Sequence, residues 1–354
     1  MIDTPRRFLS LAPELTPQGV VTVRFYQFLL SRLLVFVCVI FVGVTVVFFV
    51  PRLLPSDPVD AMLASILSQS NFISPEAIEA MRETLNVAYG LDGTLWEQYT
   101  GFLWRAIFTQ DFGPSFSQYP TNVSVLIGRA LPWTMGLLLS TTVISWVLGN
   151  FIGLLAGFRK GKWYAHIMEY IAIFLYPIPY YIFALVLIIL FAYVLPIFPL
   201  AVTIRTSGFT WEHIANILYN SALPALSMIL VGTGWWVISM MTLASNTAEE
   251  DYVGFARLKG LSERRIMYRY VLPNAALPQV TMLALRLGGV FGGAMITEML
   301  FTYPGIGMLI YTGIVQNDYN LIMGSVTISI VAVATATFIV DILYPFMDPR
   351  VRLR

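Results

Sequence analysis

The sequence predicts an all-α polytopic membrane protein with six transmembrane helices and both termini on the cytoplasmic side. Three observations carry this. Of 354 residues, 57% are hydrophobic and 12% charged, and the mean hydropathy is +0.74, far from the balance of a soluble domain. Six apolar runs are each long enough to cross a hydrocarbon core of about 30 Å in helical form. The basic residues gather in the connections that such a topology places on one side.

Residues 1–26 form a tail containing Pro5, Pro13, Pro17, Arg6, Arg7 and Arg24, expected to be loosely ordered and cytoplasmic. The first span, 27–50, carries the charge-free run Leu33 to Val50 and has no small-residue cleavage site at its end, so it is read as an uncleaved anchor. The single cysteine, Cys38, lies inside this run; no intrachain disulfide is possible, and a small apolar side chain is its simplest reading.

Residues 51–130 form a large extracytoplasmic loop, too long to be a structureless connection, so helices of its own are expected. Ser74, Pro75 and Glu76 read as an N-cap, a first-turn proline and a dipole-matched acid, opening a helix to about Asn86. A second amphipathic segment, about Thr94 to Phe108, presents Leu95, Tyr99, Phe102, Leu103 and Ile107 to the membrane face or to the bundle.

Residues 131–346 hold the remaining spans: Leu131 to Phe158, about Ile167 to Val194, about Ala222 to Ser245, about Ala276 to Phe301 and about Leu321 to Tyr344. Residues 246–275 within them form a cytoplasmic loop, and 347–354 a cytoplasmic tail. Gly149, Gly153 and Gly157 in span two, and Gly288, Gly289, Gly292 and Gly293 in span five, let helices approach closely, either inside one subunit or at a subunit interface. Pro177 and Pro179 remove backbone donors from span three and predict a kink.

Orientation follows from the short basic loops. Arg159, Lys160 and Lys162 follow span two; Arg257, Lys259, Arg264, Arg265 and Arg269 follow span four; Arg350, Arg352 and Arg354 end the chain. The opposite side holds Asp57, Asp60, Glu76, Glu79, Glu83, Asp92, Glu97 and Asp111 against Arg52, Arg82 and Arg105. The net charge of +1 offers no basic face for phosphates, which excludes nucleic acid as the main partner.

The most informative segment is Thr247 to Pro278, TAEEDYVGFARLKGLSERRIMYRYVLPNAALP. It reads as two short helices: a capping box of Thr247 with Glu250, acids Glu249 and Asp251 at the positive end, Gly260 closing the first helix in the left-handed position, and Ser262 capping a second. A solvated basic loop obeying the positive-inside rule accounts for the same charges.

The residues themselves carry more. Ala256, Gly260, Leu272 and Pro273 fall on the EAA pattern of the cytoplasmic loop of ABC importer permeases, while Gly254, Phe255 and Tyr270 depart from it. Glu250 to Val253, Ala256, Arg257, Lys259 to Ser262, Asn274, Ala275 and Pro278 resemble more closely the dipeptide and oligopeptide permeases of that superfamily. Leu54 to Pro58, Tyr89 to Asp92, Gln98-Tyr99, Asp111 to Gly113, Ser115, Glu298, Phe301, Pro304 to Gly307, Asp318, Asp341 to Tyr344 and Asp348 to Arg350 extend the resemblance along most of the chain, and the large loop resembles the first of that family's two permease partners.

The resemblance implies a type I ABC importer permease fold and a transport subunit with no catalytic residues, metal or cofactor of its own. ATP and Mg would reside on two partner ABC ATPase subunits, with a second homologous permease, an extracytoplasmic solute-binding protein and membrane lipid as further partners, all at the bacterial inner membrane. The sequence agrees that ATP chemistry lies elsewhere: Gly161-Lys162 lacks the upstream glycine of a phosphate-binding loop, position 156 being Ala156, and Trp163 stands where Ser or Thr is needed. By the resemblance, Gly254, Phe255, Ala256, Arg257, Leu258, Lys259, Gly260, Leu261, Ser262 and Glu263 couple to an ATPase subunit, with Arg257 and Lys259 as polar contacts. The implied cargo is a small oligomeric solute, a peptide first and an oligosaccharide second.

Arg286 lies near the middle of span five, where a charge costs roughly 2.5–3.5 kcal/mol, so it faces protein or water. It is a candidate for the translocation path, or a structural arginine. Glu298 and Asp341 have structural or gating readings; Trp235, Trp236, Tyr180 and Tyr181 either stack on cargo or pack. A transporter driven by an ion gradient is the alternative from a different class. An intramembrane enzyme is disfavoured: His166 and His213 are the only histidines, and neither His-Glu-x-x-His nor Gly-x-Ser-x-Gly occurs.

Overall fold

The computed structural model describes residues 17–53, 59–60, 63–64, 67, 74–203, 210–289 and 295–347. The described residues are helical apart from turns and one isolated antiparallel bridge, Pro114 with Asn122. The chain runs α1 (Pro17–Arg52), α2 (Pro75–Tyr89), α3 (Leu95–Trp104), α4 (Val123–Phe158), α5 (Trp163–Leu175), α6 (Tyr180–Ile188), α7 (Trp211–Ala248), α8 (Asp251–Leu258), α9 (Glu263–Ile266), α10 (Leu272–Gly289), α11 (Met295–Phe301), α12 (Ile306–Val315) and α13 (Tyr319–Met347).

Among the described residues, four helices are individually long and apolar enough to cross a bilayer: α1, α4, α7 and α13. Two bent pairs complete a possible six, α5 with α6 and its π-helical extension to Val194, and α11 with α12. The first pair turns by 98° at the Pro177 and Pro179 break, far more than a kink, because Pro179 sits in extended backbone as the N-cap of α6. The second turns by 80°. The fifth run expected over 276–301 is divided between α10 and α11, and 290–294, with Gly292 and Gly293, lie outside the described residues. So do most of the tail 1–26, the Leu54 to Pro58 motif and the tail after Met347.

Helices overrun their apolar stretches. α4 starts at Val123, eight residues before the expected edge of the loop, where Asn122 Oδ1 accepts from Ser124 N–H at 2.8 Å. α7 has 38 residues, about 57 Å at 1.5 Å per residue, well beyond a hydrocarbon core.

α4 and α7 form the tightest pair, and the glycine stripe explains it. A Cβ on Gly149 would lie 2.3 Å from Trp236 Cβ, one on Gly153 2.6 Å from the Val237 carbonyl oxygen, and one on Gly157 2.3 Å from that of Met241. The stripe in span two thus serves packing inside the subunit.

The segment between α1 and α4 folds as a cap. Ser74 caps α2, accepting from Ala77 N–H at 3.3 Å, and Gly90 (φ +62°) closes it. Thr94 and Glu97 form a capping box on α3. Tyr99 and Phe102 of α3 bury against Phe48 of α1, with ring centroids 5.3 and 5.6 Å apart. Leu95 and Ile107 remain exposed, so this segment both packs on the bundle and keeps an outer apolar face. Asp318, fully buried before α13, accepts from Ser117 N–H at 3.0 Å, from the hydroxyls of Ser115 and Ser117, and from Leu321 N–H at 3.0 Å. One carboxylate thereby caps α13 and holds the loop down. Arg52, at the end of α1, donates to Gln98 Oε1 at 3.3 Å, and burial, then the neighbouring Arg105, pulls it down to about 10.

Candidate functional site

The connection between α7 and α10 is a helical hairpin. α7 does not end in the expected capping box: Thr247 is still inside it, and its hydroxyl donates back to the Leu243 carbonyl at 2.8 Å. Glu250 instead takes the extended N-cap position of α8, without a side-chain cap bond. The stop signal is as expected. Gly260 has φ +73°, its N–H donates to Arg257 O at 2.9 Å, and Leu261 N–H donates to Ala256 O at 3.3 Å, the paired bonds of a Schellman closure. Ser262 then sits at the extended N-cap of α9.

One face of this hairpin is anchored. Val253, Ala256 and Ile266 are buried in a cluster with Leu154 and Phe158 of α4, Met240, Ala244 and Ala248 of α7, Val271 of the π-helical turn and Ala275 of α10. Any push on α8 therefore meets the ends of three long helices at once. The other face is bare. Tyr252, Phe255 and Leu258, at i, i+3 and i+6, are exposed, Phe255 at 64% and Leu258 at 84%. Lys259 and Gly260 at the tip are also exposed, and a Cβ on Gly260 would meet open space.

Arg257, expected as an outward polar contact, turns back. Its Nε lies 3.4 Å from Glu263 Oε1, its Nη1 donates to Ala248 O at 3.4 Å, and its guanidinium is 5.9 Å from the Phe158 ring centre. It braces the hairpin against α7 and α4. In the sequence this apolar stripe is signalled only by the spacing of Tyr252, Phe255 and Leu258, among more conspicuous charges.

A second feature lies within the bundle. A recess of about 210 Å³ is lined by Thr141, Thr142 and Ser145 of α4, Tyr176 after α5, Tyr180 of α6, Met228, Val231, Gly232, Trp235 and Trp236 of α7, and Arg286 of α10. Arg286, Trp235 and Trp236 are thus brought together. Arg286 Cζ lies 4.7 Å from the Trp235 ring centre and 5.9 Å from that of Trp236, which stand edge-on at 82°.

Glu298, grouped with them from sequence, lies apart from the recess and fully buried. Its Oε1 accepts from Thr134 Oγ1 at 2.7 Å and its Oε2 from Gly307 N–H at 2.7 Å and Met308 N–H at 3.3 Å. The carboxylate caps α12 from the preceding helix, and Gly305 and Gly307 of the Pro-Gly-Ile-Gly run leave the space it occupies. Asp341 pairs with Arg32 at 3.2 Å, joining α13 to α1. Among the described residues no cluster of His, Cys, Asp and Glu could hold a metal ion.

Comparison with known proteins places this geometry. Residues 149–353 match the family described as "Binding-protein-dependent transport system inner membrane component", a stretch that includes the hairpin and most of the recess. The chain is 30% identical over 315 residues to the oligopeptide transport system permease protein AppB of Bacillus subtilis (strain 168), covering 88% of this chain and 95% of that one. It is 30% identical over 277 residues to the dipeptide transport system permease protein DppB of the same strain, covering 78% and 85%. Against the Escherichia coli (strain K12) dipeptide permease DppB it is 28% identical over 346 residues, covering 92% and 98%.

Proposed function

The chain belongs to the family of binding-protein-dependent transport system inner membrane components, and on that footing we propose that it conducts peptides across the bacterial inner membrane while partner ATPases drive it through the α8–α9 hairpin. The observation that carries this is the two-faced hairpin: Val253 and Ala256 locked into the ends of α4, α7 and α10, Phe255 and Leu258 left bare. An exposed apolar knob on a rigidly anchored helix suits a groove on another protein.

In this reading the bundle crosses six times, each bent pair counting as one crossing or as part of one, and both termini face the cytoplasm. Residues 51–130 form the external cap and 246–275 the internal coupling element. A second permease completes the pathway, and a solute-binding protein delivers cargo to the outer face. Two ATPase subunits hold the ATP and Mg; their closure on nucleotide moves α8 as a rigid body and tilts the helices it is packed against.

The test is reconstitution of the permease pair with its ATPases and binding protein in liposomes, following a labelled tripeptide. Uptake requiring ATP and the binding protein is expected. Uptake that persists without ATPases and follows a proton or sodium gradient would assign the chain to the other transport class. Trp235, Tyr176 and Tyr180 around the recess give a second reading for the cargo, an oligosaccharide stacked on aromatic faces, and a labelled oligosaccharide in the same liposomes decides between them.

A further inference from the structure

We infer that Arg286 is a cargo-carboxylate site: the guanidinium, held over Trp235 in the recess between α4, α7 and α10, receives an anionic end group of the transported solute. This rests on the transport reading above and narrows its substrate class to solutes carrying a free carboxylate.

The first support is the state of the charge. Arg286 is exposed in the subunit, and among the described residues no carboxylate forms an ion pair with it. A guanidinium among apolar helices without an internal counter-ion is costly unless it faces water, a partner or an anionic ligand.

The second is how it is held. Trp235 lies 4.7 Å below the cation and Trp236 5.9 Å away. Ring faces attract the cation without neutralising it and leave the planar fork free to make two parallel bonds to a carboxylate.

The third is the lining. Thr141, Thr142, Ser145 and Tyr176 bring hydroxyl groups to the same recess, and among the described residues no acidic one lines it. Thr141 and Ser145 donate their hydroxyl protons to their own helix, Thr141 to Leu137 O at 2.7 Å and Ser145 to Thr141 O at 2.7 Å. Their free lone pairs then accept from N–H donors. A cation at one end and acceptors beside it match the carboxylate and the amide N–H groups of a peptide, while a neutral sugar offers the guanidinium only uncharged hydroxyl acceptors, without the charge-assisted pair of bonds a carboxylate makes.

The test uses the purified importer, permeases and ATPases together, in nanodiscs, with the binding protein omitted so that its own selectivity does not enter. Retention of tritiated trialanine and of its C-terminal amide is measured by equilibrium dialysis. The wild type is expected to retain the free acid at least tenfold more than the amide, R286K to keep a smaller preference of the same sign, and R286Q to retain the two equally. Equal retention by the wild type, retention of neither, or an R286Q importer that keeps the preference overturns the inference. So does loss of the second permease from the R286Q complex on gel filtration, which would make Arg286 an inter-subunit ion pair. Trialanine uptake by the complete wild-type system in liposomes reads the transport function separately, so failure of the site and failure of the transport reading give different results.

Discussion

Thr134 Oγ1 stands between two partners, donating to Glu298 Oε1 at 2.7 Å and accepting from Ile306 N–H at 2.8 Å, so a hydroxyl on α4 and a carboxylate on α11 together cap α12. Replacing Glu298 with Ala leaves the Gly307 and Met308 N–H groups and the Thr134 hydroxyl without their acceptor. The expected cost is about 1–3 kcal/mol for each buried group left unpaired. A clear fall in the melting temperature of the purified complex is predicted for Glu298→Ala, and a smaller one for Glu298→Gln, which keeps one acceptor. Equal melting of Glu298→Ala and wild type would remove the cap from the account.

The contact between α4 and α7 depends on Gly153. Gly153→Val forces a side chain into the Val237 carbonyl and Met240, and overpacking of this kind costs about 1–3 kcal/mol. Fluorescence-detected gel filtration should show a reduced, aggregated peak. Gly136→Ala on the same helix meets nothing within 4 Å and should run as wild type.

The cap between α1 and α4 carries a pH dependence. Asp111 Oδ1 accepts from Asn122 Nδ2 at 2.7 Å and from Gly113 N–H at 3.0 Å; the first bond, then the second, holds its carboxyl below the ordinary value. A depressed folded value contributes stability above the unfolded carboxylate range, near pH 4, that is lost as pH falls through the folded value. Cleavage within the segment before α4 by an acid-active protease should therefore rise steeply below about pH 4 in the wild type. In Asp111→Ala, neutral-pH protease sensitivity should already be raised and the acid step weakened. An unchanged acid step in that variant would place the titration elsewhere.

The proposed coupling role requires the turn at Gly260. Gly260→Val adds no clash, since its Cβ meets open space, but puts a β-branched residue at φ +73°, a strain of about 1–2 kcal/mol. The expected result is uptake reduced at least tenfold with subunit expression and basal ATP hydrolysis retained. Gly128→Ala on α4, also open at its Cβ but not left-handed, should transport normally. Full uptake by Gly260→Val would refute the role of the turn.

Hydropathy revealed the apolar runs because a bilayer leaves few ways to hide a backbone. It did not reveal their ends, since α4 and α7 continue into polar residues that capping and neighbour packing keep helical. Gly260 and Ser74 were legible because left-handed closure and N-capping are local. Thr247 was misread because its hydroxyl competes for a carbonyl four residues back, and nothing within the segment decides that contest. Glu298 and Arg286 looked alike as charges in spans. Only the fold separates them, since one meets N–H donors from a later helix and the other two indole rings on α7.

Leu258 offers the most direct measurement of the central claim. In a Cys38→Ser background, Leu258→Cys places a thiol at the bare tip of α8. With a short thiol cross-linker in the assembled complex, it should join to an ATPase subunit, and in intact spheroplasts it should resist a membrane-impermeant maleimide. Ready labelling from outside, with no cross-link to an ATPase, would contradict the account.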